Sequence, residues 1–503
     1  MFPRTPAYRW GAVAAFLLFA AWFHPTFTGG LNAPEISYSS NGVDDLGYVK
    51  KLLSDNKVGP EIEYASRTIR YVSDAQERKS ITEIDQELFP TAFRNITISR
   101  ESKLPAGKIV DLHVKQSPRP DQVDVSDMIF AASTTYGRFT DPNTSPIEEW
   151  TRWLTDGHGA SNGAGLILAL FDTTSDNIAK AAKKLKEVGI NATVVPSNKE
   201  LDMAGRYVDL VQMIYNHPTR PNRKYLVLVD DDTFFPAISS LRERLSTYDP
   251  EKPFYIGTFT ERSDWLIANG APFAYGGGGI VLTAPSAKQI VEAPCLAKNN
   301  ETGKYVLDSD QGDRLLYNCL TVHTDLTLTY LPTLHQHDQF GDPAGIYESG
   351  QLFHSIHHYK SWHRASPART HVVADACGEE CVYQRFQFSD NFIISNGFSI
   401  AHYPQGIDFD PLQMEQTFSS QHEPSAAGVD VVFSLYFGGL RKRLAKTGKK
   451  RSWEILGARK EGDGRVKQVY LKRWSDERWY VEGGVPKPEE DPRDSVVVLT
   501  WVP

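Results

Sequence analysis

Short apolar runs alternate with longer helical patterns through the centre of the chain. Four of these runs have the length and composition of buried strands: 128–133, 165–171, 192–196 and 225–229. The helical pattern at 176–188 ends at Gly189, and the pattern at 201–217 ends at Pro218. This alternation predicts an α/β domain with a mostly parallel sheet and helices on both faces. Ligands bind such domains beyond the carboxyl ends of the strands.

Three adjacent carboxylates, Asp230, Asp231 and Asp232, follow the fourth run within YLVLVDDDTFF. Their repulsion is relieved by a cation, by basic partners or by solvent, and hard divalent cations take carboxylate oxygens. A solvated turn in which one Asp caps the next helix is an alternative. A phosphotransferase of the haloacid-dehalogenase type also has Asp-x-Asp after a strand, but Phe234 stands where that signature needs Thr or Val. The buried strand before the carboxylates favours a metal site.

Three further segments carry residues suited to binding or catalysis. The glycine run at 276–279 permits close approach of the backbone to a ligand, although a flexible turn has the same composition. Asp310 and Asp313 lie at a predicted helix start, where a carboxylate either favours the helix dipole or acts as a general base. Histidines gather between residues 335 and 363, and imidazole is a ligand for transition metals. The chain has no HExxH motif of a zinc hydrolase.

The N-terminal segment predicts a membrane anchor. Residues 10–23 are uncharged and follow Arg4 and Arg9. A spanning helix needs about 20 apolar residues, and this run has 14. The bulky sequence AWFHP lacks a good cleavage site, so we expect an uncleaved signal anchor rather than a cleaved secretory signal. With a cytoplasmic tail at 1–9, the prediction is a single-pass type II protein of the Golgi membrane, secreted if the anchor is cleaved.

Sequons and cysteines agree with a lumenal location. N-glycosylation sequons begin at Asn95, Asn143, Asn191 and Asn300. The four cysteines are Cys295, Cys319, Cys377 and Cys381. Two disulfides suit an oxidising lumen, whereas a zinc site would need a second ligand pair close to CGEEC. The net charge of −8 lacks the basic surplus typical of proteins that bind nucleic acids.

The flanking segments differ from the α/β centre. Residues 24–123 are polar and show no sustained strand or helix pattern, which predicts a stem. Residues 124–365 hold the α/β pattern and the candidate site residues, which predicts a catalytic domain. Residues 366–503 have short strand-like runs between turn-rich or basic loops, which predicts a small β-rich extension.

In this order, the motifs resemble the Fringe-like glycosyltransferases of glycosyltransferase family 31. YLVLVDDDTFF is followed by GGGG, by the acidic helix start and by SIHHYKSW, and the similarity covers residues 125–403, including RFQFSDNFIISNGFSIAHYP. The sequence is most similar to the fungal branch, which is related to a plant group of domains of unknown function. The resemblance implies a GT-A fold, a UDP-sugar donor, Mn²⁺ and inversion at the anomeric carbon. It also implies transfer of a hexose, such as galactose or N-acetylglucosamine in β-1,3 linkage, to a glycan or glycoprotein.

The resemblance also implies roles for individual residues. Its metal ligands and catalytic base correspond to Asp230, Asp232, His357 and Asp313. Neighbouring alternatives are His358 for the histidine and Asp310 for the base. Its donor-binding positions correspond to Ser133, Thr134, Arg138, Asp231, Gly276, Gly277, Gly278 and Gly279. A lumenal carbohydrate-binding protein with an inactive transferase fold is an alternative function, but every implied metal and base position carries a suitable side chain.

Overall fold

The computed structural model describes residues 45–363, 365–419, 431–481 and 492–503. The predicted cytoplasmic tail at 1–9 and the predicted signal anchor at 10–23 lie outside these residues. Among the helices that are described, none combines the length and the apolar composition needed to cross a membrane.

Most strands belong to two large sheets. In chain order the strands are β1 (Glu61–Asp74), β2 (Ile81–Ile84), β3 (Arg94–Thr97), β4 (Ile109–Lys115), β5 (Met128–Thr135), β6 (Gly165–Phe171), β7 (Ala192–Pro196), β8 (Tyr225–Val229), β9 (Tyr255–Gly257), β10 (Ile280–Thr283), β11 (Leu328–Tyr330), β12 (Phe340–Gly341), β13 (Arg385–Phe388), β14 (Phe392–Ser395), β15 (Ser399–His402), β16 (Met414–Glu415), β17 (Phe418–Ser419), β18 (Leu440–Arg441), β19 (Arg451–Lys460), β20 (Val466–Lys472) and β21 (Asp494–Val502).

Along the chain, most of the helices alternate with the strands of the central region. In chain order they are α1 (Asp45–Asp55), α2 (Tyr136–Thr140), α3 (Ile147–Leu154), α4 (Ser175–Glu187), α5 (Met203–Tyr215), α6 (Ile238–Leu245), α7 (Ser263–Asn269), α8 (Ala284–Glu292), α9 (Gly312–His323), α10 (Ala344–Tyr347), α11 (Pro367–His371), α12 (Ala374–Cys377) and α13 (Val431–Phe437). α5 packs against β5 and against α9.

The central sheet has the order β11-β9-β10-β8-β5-β6-β7. The strands β5, β6, β7 and β8 run parallel, and β10 is antiparallel to both of its neighbours. The prediction of an α/β domain with a mostly parallel sheet is therefore confirmed. The predicted strands at 165–171, 192–196 and 225–229 coincide with β6, β7 and β8. Continuous apolar runs are typical of strands that are covered on both faces.

The second sheet joins the two ends of the described chain. Its order is β2-β13-β14-β15-β19-β20-β21-β1-β3, and β4 also pairs with β1. β1 and β21 run parallel from the Ile62–Asp494 pair to the Arg70–Val502 pair. Residues 45–115 therefore fold together with the C-terminal strands, and the prediction of a stem is wrong for them.

The stem prediction is wrong because the strand signal of β1 is mixed. Ile62, Tyr64 and Ile69 are buried, but charged and hydroxyl side chains separate them along the strand. Its partner β21 lies more than 400 residues away in the sequence, so no local pattern indicates the pairing. The region after residue 366 is β-rich as predicted, but its long strands share a sheet with β1 and β4 instead of forming a separate unit.

One hydrophobic core connects the two sheets. It contains Phe130 and Val227 of the central sheet, Trp153 of α3, and Val497 and Trp501 of β21. All of these side chains are buried. The predicted domain limits at 124 and 365 therefore enclose the candidate site residues in the sequence. The hydrophobic core, however, continues across both limits.

Two disulfides form in the described chain, Cys295–Cys319 and Cys377–Cys381. The first joins the segment after α8 to α9, and the second closes the turn that follows α12. The prediction of two disulfides is confirmed, and no cysteine is left free.

Candidate active site

The acidic cluster lies at the carboxyl end of β8, the middle strand of the central sheet. All five residues of β8 are buried, so the chain passes from the core directly into the cluster. The Thr233 hydroxyl accepts a hydrogen bond from the Asp230 N–H (3.1 Å) and donates one to the Gly277 carbonyl oxygen (2.9 Å). These bonds hold the acidic turn against the glycine run, as expected for a ligand site at a strand end.

An antiparallel bridge brings the histidine segment beside the cluster. Phe234 and Ile356 exchange two backbone hydrogen bonds of 2.9 Å. His357 follows directly, and its Nε2 lies 3.0 Å from Asp232 Oδ1 and 3.5 Å from Asp230 Oδ2. The His357 imidazole thus meets two carboxylates that lie 125 and 127 residues earlier in the sequence.

The other ring nitrogen of His357 faces a buried loop. Its Nδ1 lies 3.2 Å from the Gln336 carbonyl oxygen. Glu261 holds this loop, because its carboxylate accepts hydrogen bonds from the backbone N–H groups of residues 336–338 at 2.9–3.3 Å. A carbonyl acceptor at Nδ1 directs Nε2 to the carboxylates, which is the arrangement typical of histidines that bind metals.

His358 also belongs to the cluster. One potential ligand atom from each of Asp232, His357 and His358 lies within 4.8 Å of the other two. The His358 ring stacks on Trp362 with ring centroids 3.8 Å apart, and its Nε2 lies 3.3 Å from Asp338 Oδ1. Because that nitrogen is turned toward Asp338, His357 is the histidine that contacts the acidic cluster directly.

The charges of the cluster shift the pKa values of its members. Desolvation of its partly enclosed carboxylate raises the pKa of Asp230 to about 7; the charge of His357 opposes the rise, and the neighbouring carboxylates add to it. Burial also acts to raise the pKa of Asp232, but the charge and hydrogen bond of His357 hold it well below its usual range. Burial acts to lower the pKa of His357, but the charge and hydrogen bond of Asp232 raise it to about 9. The cluster therefore favours a cation, and it opens to solvent at Asp230, whose side chain is 39% exposed.

Asp231 points to the first βα loop. The Arg138 guanidinium donates two hydrogen bonds to its carboxylate, of 2.7 and 2.8 Å, and the Thr134 hydroxyl donates a third. The Ser133 hydroxyl lies 3.5 Å from that of Ser197. The structure thus brings Thr134 and Arg138 to the cluster, while Ser133 faces away from Asp231. The Arg138 side chain remains 47% exposed and can contact a ligand beside the cluster.

The glycine run is required by close packing at the site. A Cβ at Gly277 would overlap the His357 ring, and a Cβ at Gly276 would overlap Tyr207. The Gly278 N–H donates a hydrogen bond to the Gln336 side-chain oxygen (2.9 Å). The glycine run therefore lies in contact with His357 and with the loop that supports it. A side chain on the run would displace them.

Asp313 lies in the first turn of α9, beside the glycine run. Its Oδ2 accepts a hydrogen bond from the Gly276 N–H (3.1 Å), and its Oδ1 accepts one from the Arg314 N–H (2.8 Å). Burial raises its pKa, and the hydrogen bonds partly oppose the rise. The alternative base, Asp310, is exposed before the helix begins. Asp313 is therefore the carboxylate that the helix start presents to the site.

Tyr207 of α5 also lies in the site, although no sequence motif indicates this. Its ring lies between Gly276 and Gly312, where a Cβ on either glycine would overlap it. Its hydroxyl is buried and has no hydrogen-bond partner in the described part of the chain. Burial, followed by the charges of Asp230 and Asp313, raises its pKa. In the sequence Tyr207 is one aromatic residue of an amphipathic helix, a pattern typical of core packing.

Gly277→Ala is expected to destabilise the protein by about 1–3 kcal/mol, because the added methyl group must displace the His357 ring. Gly59→Ala is the matched control, since no heavy atom lies within 4 Å of the position of a Cβ there. We expect the control to change stability by less than about 0.5 kcal/mol. Denaturant unfolding of the two variants measures the difference, and equal stability would show that His357 is free to move aside.

Residues 172–342 match the family model described as Fringe-like. This segment is similar to the Fringe-like family. It contains the acidic cluster, the glycine run and Asp313, whereas His357, Thr134 and Arg138 lie outside it. The predicted family is confirmed, and the fungal branch stays a prediction.

Proteins similar to this chain include a β-1,3-glucosyltransferase of Mus musculus, 27% identical over 184 residues. The match covers 36% of this chain and 34% of the relative, so the chain spans about a third of that protein's length. Among solved structures, the galactosyltransferase LgtC with donor and acceptor sugar analogs is 13% identical, with a TM-score of 0.29 over 44% of this chain and 77% of that chain. A mannosyltransferase of Pyrobaculum calidifontis with GDP-Man and Mn²⁺ is 11% identical, with a TM-score of 0.24 over 46% and 62%.

Proposed function

We propose that the protein is an inverting, metal-dependent glycosyltransferase of the GT-A type that transfers a hexose from a UDP-sugar to a glycan or glycoprotein. The observation that carries this proposal is the meeting of Asp230, Asp232 and His357 at the end of β8. The Fringe-like family match over the surrounding segment supports it.

The residues of the cluster fit a divalent cation. Asp230 and Asp232 offer carboxylate oxygens, which hard cations prefer, and His357 offers an imidazole nitrogen, which suits transition metals. The mixture favours Mn²⁺ over Ca²⁺. The Gln336 carbonyl oxygen, 3.2 Å from Nδ1, orients the imidazole for this role. A bound cation would act as a Lewis acid that stabilises the charge on the leaving UDP.

Asp313 is the proposed catalytic base. Two backbone N–H groups fix its carboxylate, and burial raises its pKa, which makes the carboxylate a stronger base. The acceptor hydroxyl oxygen would attack the anomeric carbon, its proton would pass to Asp313, and the bond from that carbon to UDP would break. One attack from the opposite face needs no nucleophile of the protein and gives inversion.

The donor would lie along the residues that border the acidic cluster. Arg138 and Thr134 fix Asp231, and the half-exposed Arg138 guanidinium is a suitable partner for a nucleotide phosphate. The backbone of Gly276–Gly279 would line the sugar. The relative named β-1,3-glucosyltransferase supports a β-1,3 linkage and adds glucose to the candidate donor sugars. The disulfides and sequons support a lumenal location, and we propose the Golgi membrane.

We expect the full-length protein to release UDP from one UDP-sugar when Mn²⁺ and acceptor are present. The panel is UDP-glucose, UDP-galactose, UDP-N-acetylglucosamine and UDP-glucuronic acid, with UDP detected by a coupled assay. EDTA should abolish the release and added Mn²⁺ should restore it. Glycan binding with no UDP release from any sugar would instead support a carbohydrate-binding protein with an inactive transferase fold. Phosphate release from phosphorylated substrates would support the phosphotransferase alternative.

A further inference from the structure

A pocket opens in the second sheet, away from the acidic cluster of the central sheet. Strands β3 and β4 both pair with the same strand, β1, at residues 61–64 and 68–74. Residues 65–67 lie between these pairings, and the segment 105–108 covers them. The Ser66 hydroxyl donates a hydrogen bond to the Pro105 carbonyl oxygen (2.7 Å), which holds this segment against β1. The pocket at this gap has a volume of about 150 Å³.

Arg67 is one of the residues that line this pocket, and no described residue accepts a hydrogen bond from its guanidinium. The residue is 4% exposed, and its Nε and Nη1 atoms are buried without an acceptor among the described residues. Burial lowers the pKa of its guanidinium, opposed by the charge of Asp390. The Asp390 carboxylate, however, accepts hydrogen bonds from the backbone N–H groups of Leu88 and Phe89, both at 3.0 Å. A buried guanidinium without acceptors destabilises a protein unless a bound water or anion supplies them.

The mouth of the pocket adds to the positive charge. Arg94 and Lys108 line it and are exposed, and neither has an ion-pair partner in the described part of the chain. The other described lining residues are apolar or uncharged, such as Phe89 and Pro105, and none is acidic. Three cations around one pocket, with no carboxylate on its wall, create a positive potential that attracts anions.

We propose that this pocket binds an oxyanion group of a small ligand, with the Arg67 guanidinium as its buried partner. The planar guanidinium matches the two oxygens of a carboxylate, phosphate or sulfate group. Sites for drug-sized ligands have volumes of about 300–1,000 Å³. This pocket is smaller and therefore suits a single small group. The proposal does not depend on the proposed sugar transfer, because the pocket and the acidic cluster belong to different sheets.

Thermal unfolding of the full-length protein tests this proposal. Inorganic phosphate and sodium glucuronate are the probes, with glucose and with sodium chloride at equal ionic strength as references. We expect at least one anion to raise the melting temperature by a few degrees, as ligands specific for the native state do, while glucose and chloride have no effect. A response to phosphate alone would identify a phosphate-type ligand, and a response to glucuronate alone would identify a carboxylate-bearing sugar. No response to either anion would overturn the proposal.

Arg67→Met tests the role of the guanidinium. The variant should lose the anion-induced shift, which corresponds to at least tenfold weaker binding, and without anion it should melt at or above the temperature of the parent protein. Arg70→Met is the matched control on the same strand, because the Arg70 side chain is 57% exposed and pairs with Asp111. A retained shift in a folded Arg67→Met variant would show that Arg67 does not hold the anion.

A second variant keeps the test valid if Arg67→Met does not fold. The double variant Arg94→Gln/Lys108→Gln changes only exposed side chains at the mouth. It should fold as the parent protein does and bind the anion several-fold more weakly, because two of the three positive charges are gone. Unchanged anion binding by this variant would contradict the pocket as the binding site.

Discussion

Asp232→Asn should abolish metal-enhanced UDP binding and reduce sugar transfer by at least about 100-fold. The variant keeps the size of the side chain and one of its oxygens but removes the charge that a divalent cation requires. Asp232 is the carboxylate closest to His357, with 3.0 Å between Oδ1 and Nε2, and its pKa lies well below its usual range. UDP titrations followed by calorimetry, with and without Mn²⁺, measure the loss of binding.

The control for this variant is Asp325→Asn, an exposed carboxylate beyond the end of α9. It should leave both UDP binding and transfer unchanged. A second readout does not need activity: in the metal-free protein the pKa of His357 should fall from about 9 toward its ordinary value, because Asp232 is the main group that raises it. Mn²⁺-dependent transfer that survives in Asp232→Asn would show that the metal binds elsewhere.

Local patterns predicted the part of the site that lies on β8 and α9. The run 225–229 is apolar throughout because β8 is covered on both faces, so the strand and the carboxylates after it follow from adjacent residues. Asp230 and Asp232 face His357, whereas Asp231 faces Arg138. The three carboxylates lie on a turn that the Thr233 N–H closes by donating a hydrogen bond to the Asp230 carbonyl oxygen (3.2 Å). The helix start at Asp313 has a local signal of the same kind.

Contacts between distant segments were not visible in the sequence. The pairing of β1 with β21 joins residues more than 400 positions apart, and neither strand has a pattern that selects the other. Tyr207 reaches the site because two glycines, Gly276 and Gly312, leave space for its ring, and both lie on other elements. The family resemblance supplied His357, whose position depends on the backbone bridge between Phe234 and Ile356. These contacts exist only in the folded structure, so no local sequence pattern indicates them.

Asp313→Asn should reduce kcat by about 10²–10⁴, the contribution typical of a positioned general base, and leave UDP affinity close to that of the parent protein. The amide cannot accept a proton from the acceptor hydroxyl. The side chain also supports the glycine run through the Gly276 N–H, and an asparagine oxygen can still accept that hydrogen bond. The Arg314 N–H would then lose its acceptor, at a cost of about 1 kcal/mol, which unfolding experiments can measure separately.

Asp310→Asn is the matched control, three residues earlier and exposed to solvent. We expect it to keep full activity, because its carboxylate does not contact the glycine run. Steady-state kinetics with the donor sugar found in the panel distinguish the two positions. If Asp310→Asn loses transfer and Asp313→Asn does not, the base is Asp310. If Asp313→Asn loses UDP binding together with transfer, Asp313 has a structural role at the glycine run, because a base acts on the acceptor and contributes little to binding of the nucleotide.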